Sequence, residues 1–162
     1  MGREAGKLGA RLYDSEGVAV RNAPIIENGV VKQYFTNTYL AAKTGFEPTV
    51  EDVSRPCVKA FVQTGESSGN IELQDILKLC GSGVYVTGFN GGNSNPVTGD
   101  FSFGVEGFRF KNGKITHPVK EMLITGNLIE LWNNLIAAGS DARACTRWQI
   151  PSLAFSDVCF SA

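Results

Sequence analysis

The chain has 162 residues, 43% hydrophobic and 19% charged, with a formal net charge of −1. A chain of that length suits one domain, which buries roughly 70% of its unfolded surface and needs no disulfide or metal staple. The near-neutral balance and the lack of any basic run leave direct nucleic-acid binding without electrostatic support. No apolar run nears the ~18 residues of a membrane-spanning helix, so no membrane partner is expected.

The four cysteines, Cys57, Cys80, Cys145 and Cys159, show no C-x-x-C spacing. Gly6 stands where an N-myristoylation signal wants Ser or Thr, and no apolar h-region opens the chain. A soluble, reduced, cytoplasmic protein is therefore expected. The 19 glycines predict frequent tight turns and a strand-rich fold.

Residues 1–10 are expected to fray. The first structured unit follows Asp14-Ser15-Glu16-Gly17. Two apolar runs, Ala23–Ile26 and Val30–Phe35, flank Glu27-Asn28-Gly29, which is a hairpin signal. A short helix is expected from Asn37 or Thr38 to about Lys43, capped by Thr36 or Asn37 and ended by Gly45. Residues 45–57 read as a loop with two prolines, and Val58–Gln63 as a short strand. A helix follows from about Ile71 to Cys80, with Asn70 as its cap and Gly81 as its stop. Its apolar positions Leu73, Ile76, Leu77 and Cys80 fall at i, i+3, i+4 and i+7.

Gly83–Phe89 reads as a strand and Asn90–Pro96 as a loop. Phe101–Phe110 is a long strand with a phase change, since Phe101, Phe103 and Val105 share one parity and Phe108 and Phe110 the other. A bulge at Glu106-Gly107 would align all five. Asn112-Gly113 supplies the positive φ of a type I′ turn into the next strand. A helix from Asn127 carries the stripe Leu128, Leu131, Trp132, Leu135 and Ile136, closed by Gly139. Strands Ser152–Phe155 and Val158–Phe160 finish the chain. The Asn-Gly hairpins at 28–29 and 112–113, each followed by a helix, make a weak internal echo. The expected fold class is α+β, largely antiparallel sheet with hairpins and two to three helices, in a single domain over 1–162.

Few residues point to chemistry. Asp100 and Ser102 flank Phe101 and face away from the aromatic side, where with Asn95 they are peptide-cleft candidates. A turn-stabilising Asp beside a solvent-facing Ser is the competing reading. Asn90-Gly91-Gly92-Asn93 lacks the Lys-Ser/Thr that follows a phosphate-binding loop. The sole histidine, His117, precedes Pro118, and nothing in its spacing builds a catalytic triad. Cys57, Cys80 and Cys159 read as core thiols.

The block Asn95-Pro96 … Thr98-Gly99-Asp100-Phe101-Ser102 … Gly104 … Gly107-Phe108, then Asn112-Gly113-Lys114-Ile115 … Pro118-Val119 and Gly126-Asn127-Leu128, resembles the C-terminal domain of the TldD/PmbA family. Leu12–Gly17, Ile26–Val30, Thr38–Ala41, Gly83–Thr87, Gly139-Ser140-Asp141 and Pro151-Ser152-Leu153 resemble further segments of that domain. The resemblance implies a link to zinc-dependent proteolysis of peptides and to an older label, modulator of DNA gyrase. In the metal-binding subfamily a HExxxH helix lies upstream of this part, and a cysteine near the C-terminus adds a ligand. With one histidine this chain has no HExxxH, and Cys145 is the only matching candidate, though a single thiolate cannot make a tetrahedral zinc site. The short insert Ala142–Trp148 is closer to the partner subfamily, PmbA (TldE), which lacks zinc.

The resemblance thus implies a scaffold or partner domain that pairs with a TldD-like subunit, or with itself, around unfolded peptide substrates. It implies no cofactor in this chain, with zinc in a partner subunit or in an upstream portion, and a homo- or hetero-oligomer. A fragment of the catalytic subunit with Cys145 as a surviving ligand is the second expectation. A non-enzymatic peptide-binding module is the third.

Overall fold

The computed structural model describes residues 2–63, 65 and 70–161. Contacts divide them into one unit up to Val58 with Ala142–Ile150, and a second from Lys59 to Asp141 with the residues from Pro151 onward.

In the first unit Asn28 (φ 51°) and Gly29 (φ 75°) turn the chain between β1 (Ile26–Glu27) and β2 (Val30–Val31), which pair antiparallel. Both residues need the left-handed region, which Asn and Gly tolerate best. Helix α1 (Thr38–Thr44) starts where the Asn37 side chain accepts the Leu40 N–H at 2.8 Å, and it ends at left-handed Gly45. Thr49 tethers the following loop, accepting the Thr36 N–H at 2.8 Å and donating its hydroxyl to the Tyr34 carbonyl at 2.7 Å. Residues 2–10 make a run of turns rather than an open tail. Gly2 is buried, and its carbonyl accepts the Arg11 N–H at 2.8 Å.

The second unit holds β3 (Phe61–Val62), α2 (Leu73–Cys80), β4 (Ser82–Ser94), β5 (Asp100–Lys111), β6 (Lys114–Asn127), α3 (Leu128–Asn133), β7 (Leu135–Ala138), β8 (Leu153–Phe155) and β9 (Cys159–Ser161). They form an antiparallel sheet of order β4-β5-β6-β9 and a smaller one of order β3-β7-β8. This is the expected α+β class, with three helices among the described residues. Ile71, Ile76, Ala137 and Ala154 are buried together, with Val62, Cys80 and Ile136 packed against them.

Four local expectations are corrected here. Helix α2 takes Glu72, not Asn70, as its cap, with the Glu72 N–H donating to Asp75 Oδ2 at 3.2 Å. A carboxylate one turn in thus replaces the Asn side chain. Residues 90–94 are strand rather than loop, because Gly91 (φ 76°) and Gly92 (φ 127°) absorb a register shift and pairing resumes.

The phase change in β5 is real, but the extra residues sit on its neighbours. Thr87 on β4 and Lys120-Glu121 on β6 are unpaired opposite Glu106. Phe101, Val105 and Phe110 are buried, while Phe108 stays 36% exposed and does not join them.

The helix after Asn127 stops at Asn133, so Leu135 and Ile136 lie in β7 instead. There the apolar run pairs with β3 and β8, and sheet pairing outweighs the helical period.

Candidate functional site

The second unit's most organised polar group is built on the turn between β4 and β5. Asn95 closes it, with its Oδ1 accepting the Val97 N–H at 2.9 Å and its carbonyl accepting the Gly99 N–H at 2.8 Å. Asp100 is then held from two sides. Thr98 Oγ1 donates to Oδ2 at 2.7 Å, and Asn127 Nδ2 donates to Oδ1 at 3.0 Å. Asn127 and Thr98 together keep the Asp100 carboxyl below the ordinary carboxylate value. Asn127 also donates to the Thr98 carbonyl at 2.8 Å and caps α3 by accepting the Ile129 N–H at 3.0 Å. One amide therefore joins the turn, the end of β6 and the start of α3. The sequence places a helix start at Asn127. Its reach to Asp100 depends on the β5–β6 register, which sets the two directly opposite.

Asn95 and Asp100 are thus brought together by the turn, and Ser102 lies two residues along β5. Asp100, Ser102 and Glu106 are exposed while Phe101 and Val105 between them are buried, so the polar side chains share the sheet's open face. Ser102 sits between Asn93 on β4 and Thr125 on β6. Farther along, opposite the Glu106 irregularity, lies a cavity of about 330 Å³ lined by Asn90, Gly104, Glu106, Lys120, Glu121 and Leu123 among others. Asn90 Nδ2 donates to Glu106 Oε2 at 3.2 Å, and Lys120 lies 3.6 Å from Glu121, which has φ 59°. Among the described residues, neither this cavity nor the turn sets a nucleophile against a base, and both present polar groups that can bind a ligand.

The single histidine, His117, is exposed and lies opposite Arg109 on β5, with its Nδ1 3.3 Å from Thr116 Oγ1. Cys145 is an exposed free thiol in the first unit. Among the described residues, no three His, Cys, Asp or Glu side chains gather closely enough to hold a metal ion. None of the described helices is long and apolar enough to cross a membrane.

Two buried polar groups in the first unit gave no signal in the sequence. Asp14 is 4% exposed, and its carboxylate accepts the N–H groups of Val18 at 2.9 Å, Glu16 at 3.0 Å and Glu51 at 3.2 Å. Burial disfavours its charge, but those bonds and the Arg11 guanidinium outweigh it and hold the carboxyl below its ordinary value. Arg55 is equally buried and donates Nη1 to the carbonyls of Leu8 at 2.9 Å and Thr146 at 3.0 Å. It ties together three segments far apart in the chain.

The whole of residues 1–162 matches the family model described as the PmbA/TldA metallopeptidase C-terminal domain. The chain is 31% identical over 147 residues to the metalloprotease PmbA of Escherichia coli, covering 90% of this chain and 31% of that protein. It is 34% identical over 137 residues to a PmbA homologue of Haemophilus influenzae, covering 83% of this chain and 29% of the relative. A solved Bacteroides thetaiotaomicron structure, described as a candidate modulator of DNA gyrase, superposes with a TM-score of 0.85. The identity there is 46%, over 96% of this chain and 34% of that one. The chain thus spans about a third of the length of these relatives.

Proposed function

From the chain's membership of the PmbA/TldD metallopeptidase family, to whose C-terminal domain it belongs along its full length, we propose that it acts as a scaffold or partner domain in a zinc metallopeptidase system that cuts unfolded peptides. Zinc in that system sits outside these 162 residues, in a partner subunit or an upstream portion. The observation that carries this reading is the pairing of a full-length family match with one lone, exposed histidine. A hydrolytic zinc site of the family's kind needs two histidines on one helix face. Four free cysteines agree with a reduced, cytoplasmic setting.

Peptide handling has its own support in the sheet. Strand β4 is an outer strand of 13 residues, Ser82–Ser94, without a charged residue or proline. Such an edge lacks the charges and proline that guard against strand addition, and the irregularities at Thr87 and Gly91 leave Ser82–Val86 as its longest regular stretch.

The test is a metal and activity assay of the chain alone and with a TldD-like subunit. We expect no stoichiometric zinc and no cleavage of unfolded peptides by the chain alone, and cleavage once the partner is added. Chelator-sensitive cleavage by the purified chain alone would overturn the reading in favour of a catalytic fragment using Cys145.

A further inference from the structure

Three Asn-Gly pairs occur in the chain, at 28–29, 90–91 and 112–113, and the fold treats them differently. We propose that Asn28 is a site of spontaneous deamidation and that the fold protects the other two. The reaction needs the glycine main-chain nitrogen to lose its proton to solvent base and attack the side-chain carbonyl carbon of the asparagine. The bond to the side-chain nitrogen breaks, ammonia leaves, and a cyclic imide forms. Water then adds to either carbonyl of the imide, giving aspartyl or isoaspartyl product.

At Asn112 the nucleophile is withheld. The Gly113 N–H donates to the Gly81 carbonyl at 2.9 Å, and Gly113 is buried against Lys78. The turn also closes the long β5–β6 hairpin, so freeing it means unzipping two central strands. Asn90 and Gly91 are exposed at the register shift of β4, but there the side-chain amide, the leaving group, is engaged with Glu106 Oε2 at 3.2 Å, and ladder segments ending at Phe89 and Gly92 hold the chain on both sides.

Asn28 has neither protection. Both Asn28 and Gly29 are exposed, and nothing lies within 4 Å of where a Gly29 Cβ would stand. The hairpin around them pairs only Ile26 with Val31 and Glu27 with Val30. So short a ladder opens readily, and opening lets the Asn28 side chain reach the Gly29 nitrogen. The product adds a negative charge next to Glu27. In its isoaspartyl form it also adds a methylene to the main chain, which breaks the β1–β2 register.

The full chain is incubated in mildly alkaline buffer, digested, and followed by peptide mass and isoaspartyl methyl labelling. We expect the Asn28 peptide to gain one dalton about tenfold or more faster than the Asn112 and Asn90 peptides. In denaturant the three rates should converge, and Asn28→Gln should abolish the early product. Conversion of Asn112 or Asn90 first, or a spread of rates that persists in denaturant, would overturn the proposal.

Discussion

Asp14, Asp100 and Asp141 are carboxyls through which acid acts on this fold. All three carboxyls are held below their ordinary value. For Asp141 burial opposes the charge, and the Ser152 hydroxyl at 2.6 Å and N–H at 2.8 Å outweigh it. The folded state then binds fewer protons than the unfolded one wherever these groups titrate. Their contribution is whole above the unfolded carboxylate pKa of about 3.9 and is lost as pH falls through the lower folded values. Urea midpoints should therefore hold steady down to that value and then drop, and the drop should be shallower in Asp14→Asn. A midpoint that rises as the solution is acidified would refute this. Asn127 joins a helix cap to the Asp100 carboxylate, so Asn127→Ala should cost about 0.5–2 kcal/mol. It should also move the midpoint of the Asp100 titration, followed by NMR at its carboxyl resonance, to higher pH. A stability loss with no change at Asp100 would mean the contact matters only as a cap.

At the scale of elements, helices α2 and α3 present opposite cases. The apolar stripe of α2 is spent on the core, and Ile76 is 4% exposed. Ile76→Ala should cost about 2–5 kcal/mol by denaturant unfolding. Helix α3 has no buried residue. Trp132 is 50% exposed and meets Phe155 edge-on, with ring centroids 5.6 Å apart. Trp132→Ala should therefore cost only about 1–2 kcal/mol, since half the ring's burial and one aromatic contact are all it loses. If Trp132→Ala proves the more damaging of the two, the ring is covered in solution by something these contacts do not include.

For the whole molecule the expectation is association. Strand β4 leaves the backbone groups of one edge unpaired, and β9 covers only Leu123–Thr125 of the outer side of β6. Unpaired strand edges find partners in other chains, most often with two-fold symmetry. Light scattering at micromolar concentration should give a dimer or larger species. Val84→Lys on the β4 edge should shift it toward monomer. A wild-type chain that stays monomeric and soluble would count against the scaffold or partner-domain reading, though not against family membership.

What the sequence by itself determined were the features written in local chemistry. The Asn-Gly turns at 28–29 and 112–113 were legible because few residues tolerate positive φ. So were the α1 boundaries at Asn37 and Gly45, the α2 stripe, the α+β class and the family block around Thr98-Gly99-Asp100. The tertiary structure decided whatever depends on residues distant in the chain. Leu135 and Ile136 fit a helical stripe on spacing alone, yet strands β3 and β8 claim them for a sheet. Asp14 and Arg55 look like ordinary surface charges in the sequence. Arg55 is buried because Leu8 and Thr146, dozens of residues away, supply carbonyls, and Asp14 because distant Glu51 adds its N–H to the local ones of Glu16 and Val18. The Asp100–Asn127 contact likewise exists only through the β5–β6 register. Local conformational preference is carried by a few neighbouring residues, whereas satisfying a buried polar group requires partners that only the closed fold brings within reach.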